Sequence, residues 1–151
     1  FDAQSGALWP YLTGRNVELC PSLNYTLGQI KLKANGAAYG YGYNLHLSTM
    51  PGKPPVPVAK ISRPADLVLL ADAAQVNTFQ APASPENPML EEFYYVSTNR
   101  TEATAHFRHA ERASAVFADG HVAVEKMEAG SLDQNLPQQN VGRLRAEILT
   151  P

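Results

Sequence analysis

The sequence predicts a single α+β domain built around an antiparallel sheet, and three observations carry that expectation. Asp119-Gly120 stands between the apolar runs Ala115–Ala118 and Val122–Val124. Such a pair marks a short hairpin, because a type I′ turn needs positive φ at both central residues. Tyr39, Tyr41 and Tyr43 recur at period two among glycines, as in a strand with tyrosines on one face and something packed closely on the other. Leu67-Val68-Leu69-Leu70-Ala71 is an unbroken apolar run ending at Asp72, the mark of a buried central strand.

In chain order, Ala7–Leu12 reads as a short helix or turn interrupted by Pro10 and closed by Gly14. Val17–Leu19 is a brief apolar run stopped by Cys20-Pro21-Ser22, and the tyrosine strand spans Ala37–Leu47. Met50–Val58 holds four prolines and predicts an extended loop; Ala81–Pro88, rich in Pro and Ser, predicts another. Phe93–Val96 suggests a short strand, and the hairpin ends near Met127. With a two-residue loop, Ala118 faces His121, Phe117 faces Val122 and Ala115 faces Val124. Ala115, Phe117, Val122 and Val124 then form a core face, opposite Val116, Ala118, His121 and Ala123. Residues 128–151 read as a loop-rich tail, with a short helix over Val141–Leu149 from the spacing of Val141, Leu144 and Ile148.

A chain of 151 residues suffices for one core. Twelve basic residues against 14 acidic ones leave a net charge of −2, with no basic stripe to bind nucleic acid or a membrane surface. No stretch approaches the ~18 consecutive apolar residues of a membrane span. Cys20 is the single cysteine, so no internal disulfide forms, and it is expected to be a small buried residue. Lys31 and Lys33 read as a solvated edge.

Asp72, His109, Asp119 and His121 form the candidate constellation: two imidazoles and two carboxylates suit Zn²⁺ or a similar divalent ion. Their scattered positions lack metal-ligand spacing, so a structural role is expected, with Asp119 and Gly120 making the turn and His109 hydrogen-bonded to Asp72 or Asp119. A divalent metal is the one cofactor with any candidate ligands. Catalysis is not expected. Ser114 lies inside a strand without a Gly-x-Ser-x-Gly elbow, and Cys20 paired with His109 or His46 has no activating surroundings in the sequence. The tyrosines are expected to be a packed face, the alternative being carbohydrate stacking.

His109 and Asp119-Gly120, separated by nine residues, resemble the H-X9-DG motif of a bacterial family of prepilin-type, pseudopilin-like proteins. Leu8-Trp9-Pro10-Tyr11-Leu12 with Cys20-Pro21-Ser22, Tyr39–Asn44, and Pro64–Asp72 resemble further segments of that family in the same order. The resemblance implies a pilin-like head, an antiparallel sheet with a C-terminal hairpin, on an apolar N-terminal helix anchored in the inner membrane. Phe1 is followed by Asp2-Ala3-Gln4 rather than Thr-Leu-Ile-Glu, so the expectation is the head alone, with that anchor helix missing. It further implies a non-catalytic assembly role in a type II secretion pseudopilus or a type IV pilus-like filament, at the periplasm or cell surface. Partners would be other pseudopilins, copies of itself and the secretion machinery. The alternative is an exported carbohydrate- or metal-binding domain.

Overall fold

The computed structural model describes residues 9–12, 20–34, 40–48 and 53–151. Among these residues the only α-helix is the four-residue α1 (Trp9–Leu12), set beside ten short strands in three sheets. The expectation of an α+β, pilin-like head is therefore corrected: the architecture is mostly β. Expectations on Ala7, Gly14, Val17–Leu19, Ala37–Tyr39 and Met50–Gly52 lie outside the described residues.

The strands are β1 (Ile30–Lys31), β2 (Tyr41–Asn44), β3 (Val68–Asp72), β4 (Ala74–Asn77), β5 (Met89–Glu92), β6 (Tyr95–Val96), β7 (Ala105–His106), β8 (Arg112–Phe117), β9 (Val122–Lys126) and β10 (Val141–Gly142). The largest sheet has the order β6-β2-β3-β8-β9; a second is β1-β5-β4, and β10 pairs with β7. β2 with β6 and β1 with β5 run parallel, so the sheets are mixed rather than antiparallel throughout. Val141–Leu149 forms β10 and a 3-10 turn at Ala146–Ile148 in place of a helix. Gly142 lowers helix propensity there, while pairing to Ala105 and His106 satisfies the backbone.

One stretch joins the two larger sheets. β3 and β4 are separated only by Ala73, whose N–H donates to Gly40 O at 3.2 Å, while that of Ala74 donates to Thr104 O at 3.3 Å. Ala73 belongs to a core with Val68, Phe93, Phe107 and Phe117. Ala74 belongs to a second core with Cys20, Leu23, Leu90 and Val141. Asn44, fully buried, donates to the carbonyls of Val68 (2.8 Å) and Leu149 (2.9 Å), tying the C-terminal segment to the sheet.

The chain turns at Asp119-Gly120, but not as a two-residue loop. Gly120 N–H donates to Phe117 O, Phe117 N–H donates to His121 O, and Val116 pairs with Val122. Only Gly120 takes positive φ (+93°), giving the three-residue turn with a glycine bulge. The extra residue shifts the register by one and exchanges the faces of β9. Ala113, Ala115 and Phe117 still point into the core, while Val122 and Val124 are 67% and 63% exposed. A type I′-like loop occurs instead at Ala110-Glu111. Both residues have positive φ (52° and 59°), and His109 and Arg112 exchange backbone hydrogen bonds across it.

Gly42 is where the sheet is most closely overlaid: a Cβ there would lie 2.7 Å from Ala73 Cβ and 2.7 Å from the Tyr95 carbonyl carbon. Backbone at that distance cannot yield locally. Gly42→Ala should therefore lower the urea-unfolding free energy by roughly 1–3 kcal/mol. Gly28→Ala, with nothing within 4 Å of its Cβ, should change it little.

Candidate functional site

The site is built around the carboxylate that ends β3. Asp72 is fully buried, and an ionised carboxylate out of water is sustained only when its oxygens are paired. Its Oδ1 accepts from Arg108 Nη2 at 2.5 Å, and its Oδ2 accepts from the Ser114 backbone N–H at 2.6 Å. His109 Nε2 lies 3.3 Å from the same Oδ2, and the Cys20 Sγ lies 3.4 Å from that same nitrogen. One ligand-capable atom from each of Cys20, Asp72 and His109 falls within 4.8 Å of the others, a set able to hold a metal ion.

Arg108 is the organising cation. Its Nη2 also donates to Gly40 O at 2.6 Å, its Nη1 lies 3.1 Å from His106 Nδ1, and its guanidinium sits 5.9 Å from the Tyr41 ring centre. Nε, buried, has no hydrogen-bond partner among the described residues. Because the guanidinium donates to Nδ1, His106 is neutral there. Burial, then the Arg108 charge, pushes its imidazole down to about 3. Burial, followed by the nearby Cys20 and Asp72, raises the Tyr41 hydroxyl.

The expected constellation divides in two. Asp72 and His109 meet, whereas Asp119 and His121 form a separate exposed pair at the hairpin tip, with His121 Nδ1 2.6 Å from Asp119 Oδ1. Hydrogen bonds from the His121 backbone and ring hold the Asp119 carboxyl below its usual range. The His121 ring stacks on Phe117 with centroids 4.3 Å apart. The tip lies at the far end of β3, where Asp119 N–H meets Pro64 O and Ala118 N–H meets Leu67 O. Asp119 and His121 therefore do not join the metal-capable set.

Arg108 escaped sequence reasoning, and Cys20, weighed with His109 only as a catalytic pair, was left out of the metal constellation. Cys20 enters from a loop 89 residues away from His109, and no local pattern reports such a meeting. Arg108 was visible only as the neighbour of His109. A second polar cluster was also missed. Glu91, fully buried, pairs with Lys31, receives Gln75 Nε2 and accepts from Asn77 Nδ2 at 3.0 Å. Burial pushes its carboxyl up, but these donors and Lys33 outweigh that and hold it below its usual value. The neighbouring Glu92 accepts from Tyr25 Oη at 2.5 Å. Lys31 is thus buried rather than at a solvated edge. The adjacent glutamates in Met89-Leu90-Glu91-Glu92-Phe93 were the available signal.

Arg108→Ala should strand a buried carboxylate and reduce stability by about 3–5 kcal/mol. His109→Ala, removing the 3.3 Å contact to Asp72 and the 3.4 Å contact to Cys20 from a side chain 33% exposed, should reduce it by much less; chemical denaturation of both variants measures the difference. With His106 near 3 when folded and about 6.5 when unfolded, the unfolded chain binds more protons between those values. Its contribution is therefore complete above pH 6.5 and fades as pH falls toward 3, with a slope approaching about 1.4 kcal/mol per pH unit. Melting temperatures from pH 7 to 4 should drop less steeply in His106→Gln. No family model, curated protein or solved structure matches the chain.

Proposed function

We propose that the protein is a non-catalytic, structural component of a pseudopilus- or type IV pilus-like filament serving protein secretion. The proposal concerns assembly and does not depend on an α+β pilin architecture. One observation carries it: the outer face of the largest sheet presents an apolar row across four strands. Tyr43 pairs with Leu70, Leu70 with Val116 and Val116 with Val122. Tyr41 and Val124 extend the row, and both are exposed. Contiguous exposed apolar surface of this kind is characteristic of an interaction face, assigned here to a neighbouring filament subunit. The resemblance of His109 and Asp119-Gly120 to the H-X9-DG motif supports the same reading, since these residues serve the hairpin and the buried cluster. Among the described residues no helix is long and apolar enough to cross a membrane.

A second reading, an exported domain that binds a divalent metal, is favoured by the meeting of Cys20, Asp72 and His109. Exposed Tyr41 and Tyr43 leave room for its carbohydrate-binding form.

The assembly reading is tested with the full-length protein in its own cells, carrying Val122→Lys and Val124→Lys together. Burying each valine in a subunit contact is worth about 1.5 kcal/mol, so association should weaken by roughly 100-fold or more. Filaments counted by electron microscopy and secreted protein should both fall, with far-UV circular dichroism unchanged. Normal filaments and secretion in the double variant would remove the proposal.

A further inference from the structure

We propose that Cys20, Asp72 and His109 form a Zn²⁺ site, supplying three ligands among the described residues. The inference rests on the metal-binding reading of this cluster and is independent of the filament reading. The decisive observation is convergence. In a cysteine-nucleophile relay the imidazole meets the thiol through one nitrogen and the carboxylate through the other. Here a single nitrogen, His109 Nε2, faces both the sulfur (3.4 Å) and the carboxylate oxygen (3.3 Å). Three donor atoms therefore surround one point instead of forming a chain.

The spacing fits the ion. Tetrahedral zinc, with bonds of about 2.3 Å to sulfur and about 2.0–2.2 Å to nitrogen and oxygen, places S and N about 3.5 Å apart and N and O about 3.3 Å apart. The donor set also selects the metal. A thiolate with an imidazole and a single carboxylate oxygen suits a borderline ion such as zinc, whereas Ca²⁺ and Mg²⁺ call for oxygen-rich shells.

The surroundings supply what such a site needs. Arg108 holds Oδ1 and the Ser114 N–H holds one side of Oδ2, which fixes the carboxylate and leaves the remaining Oδ2 lone pair for the metal. Thiolate and carboxylate together balance the two charges of the ion, with the Arg108 charge left over beside them. Cys20 is buried, while the His109 side chain is 33% exposed. The accessible edge of the site is therefore on the His109 side.

The test uses the reduced, chelator-washed protein, titrated with Zn²⁺ in competition with a chromogenic chelator and, separately, with Co²⁺. The expected result is one ion per chain and a near-ultraviolet thiolate-to-cobalt charge-transfer band. Affinity should fall in Cys20→Ser and in His109→Gln by more than the ~100-fold that loss of an outer-shell partner costs. Binding of an ion without that band, or with undiminished affinity in Cys20→Ser, would overturn the zinc assignment alone. Failure of Zn²⁺, Co²⁺, Ni²⁺, Cu²⁺ and Mn²⁺ all to bind would overturn the metal-binding reading itself. Should the variants not fold, alkylation of the wild-type thiol decides: protection of Cys20 by Zn²⁺ supports the site, and an unchanged rate overturns it.

Discussion

A negative charge with no access to water sits at the end of the central strand, and much of the structure is arranged to tolerate it. Asp72 is fully buried, and each of its oxygens is held by a donor from elsewhere in the chain. Arg108 is fixed by that demand; its Nη1 then dictates the state of His106, and the Nη2 that binds Asp72 also holds the Gly40 carbonyl. Gly40 in turn packs against the Cys20 backbone, with its would-be Cβ 3.5 Å from Cys20 N. The carboxylate thus ties together segments that are far apart in the chain. Replacing such a group by a hydrophobe of similar volume is often neutral for stability. Its presence here accordingly says more about the site than about the strength of the fold.

The second organising feature is the passage through Ala73. A side chain larger than alanine would meet β2 at Gly42, since Gly42's would-be Cβ already comes within 2.7 Å of Ala73 Cβ. Two small residues opposite each other let one continuous stretch leave the large sheet and enter the small one. That passage places the buried Glu91 cluster in one sheet and the Asp72 cluster in the other, each completed by cations from distant segments.

How much of this could be read in the amino acids follows from the range of each interaction. The β3 strand was legible because five apolar residues in a row have few alternatives. The turn at Asp119-Gly120 was legible because glycine carries the positive φ. Its register was not, since a two-residue and a three-residue loop use the same pair of residues and differ only in which hydrogen bond closes them. β5 was hidden because Glu91 and Glu92 look like surface residues until Lys31 and Tyr25 are seen to meet them. Asp72 with His109 could be suspected from strand ends alone. Adding Cys20 required knowing that a loop before the first strand returns to the last hairpin.

The loop at Ala110-Glu111 carries a consequence for how the molecule comes together. Two L-residues other than glycine are held in the left-handed region, at about 1–2 kcal/mol each. Such a turn does not close on its own account, and β7 and β8 on either side of it find their partners in different sheets. The turn is therefore held by contacts of long sequence separation, which carry the loop-closure entropy. The cluster of Cys20, Asp72 and His109 is itself one of those contacts, with Cys20 and His109 89 residues apart. Its formation reports that the native topology has been reached, and an unfolded or half-folded chain presents its thiol with neither neighbour in place.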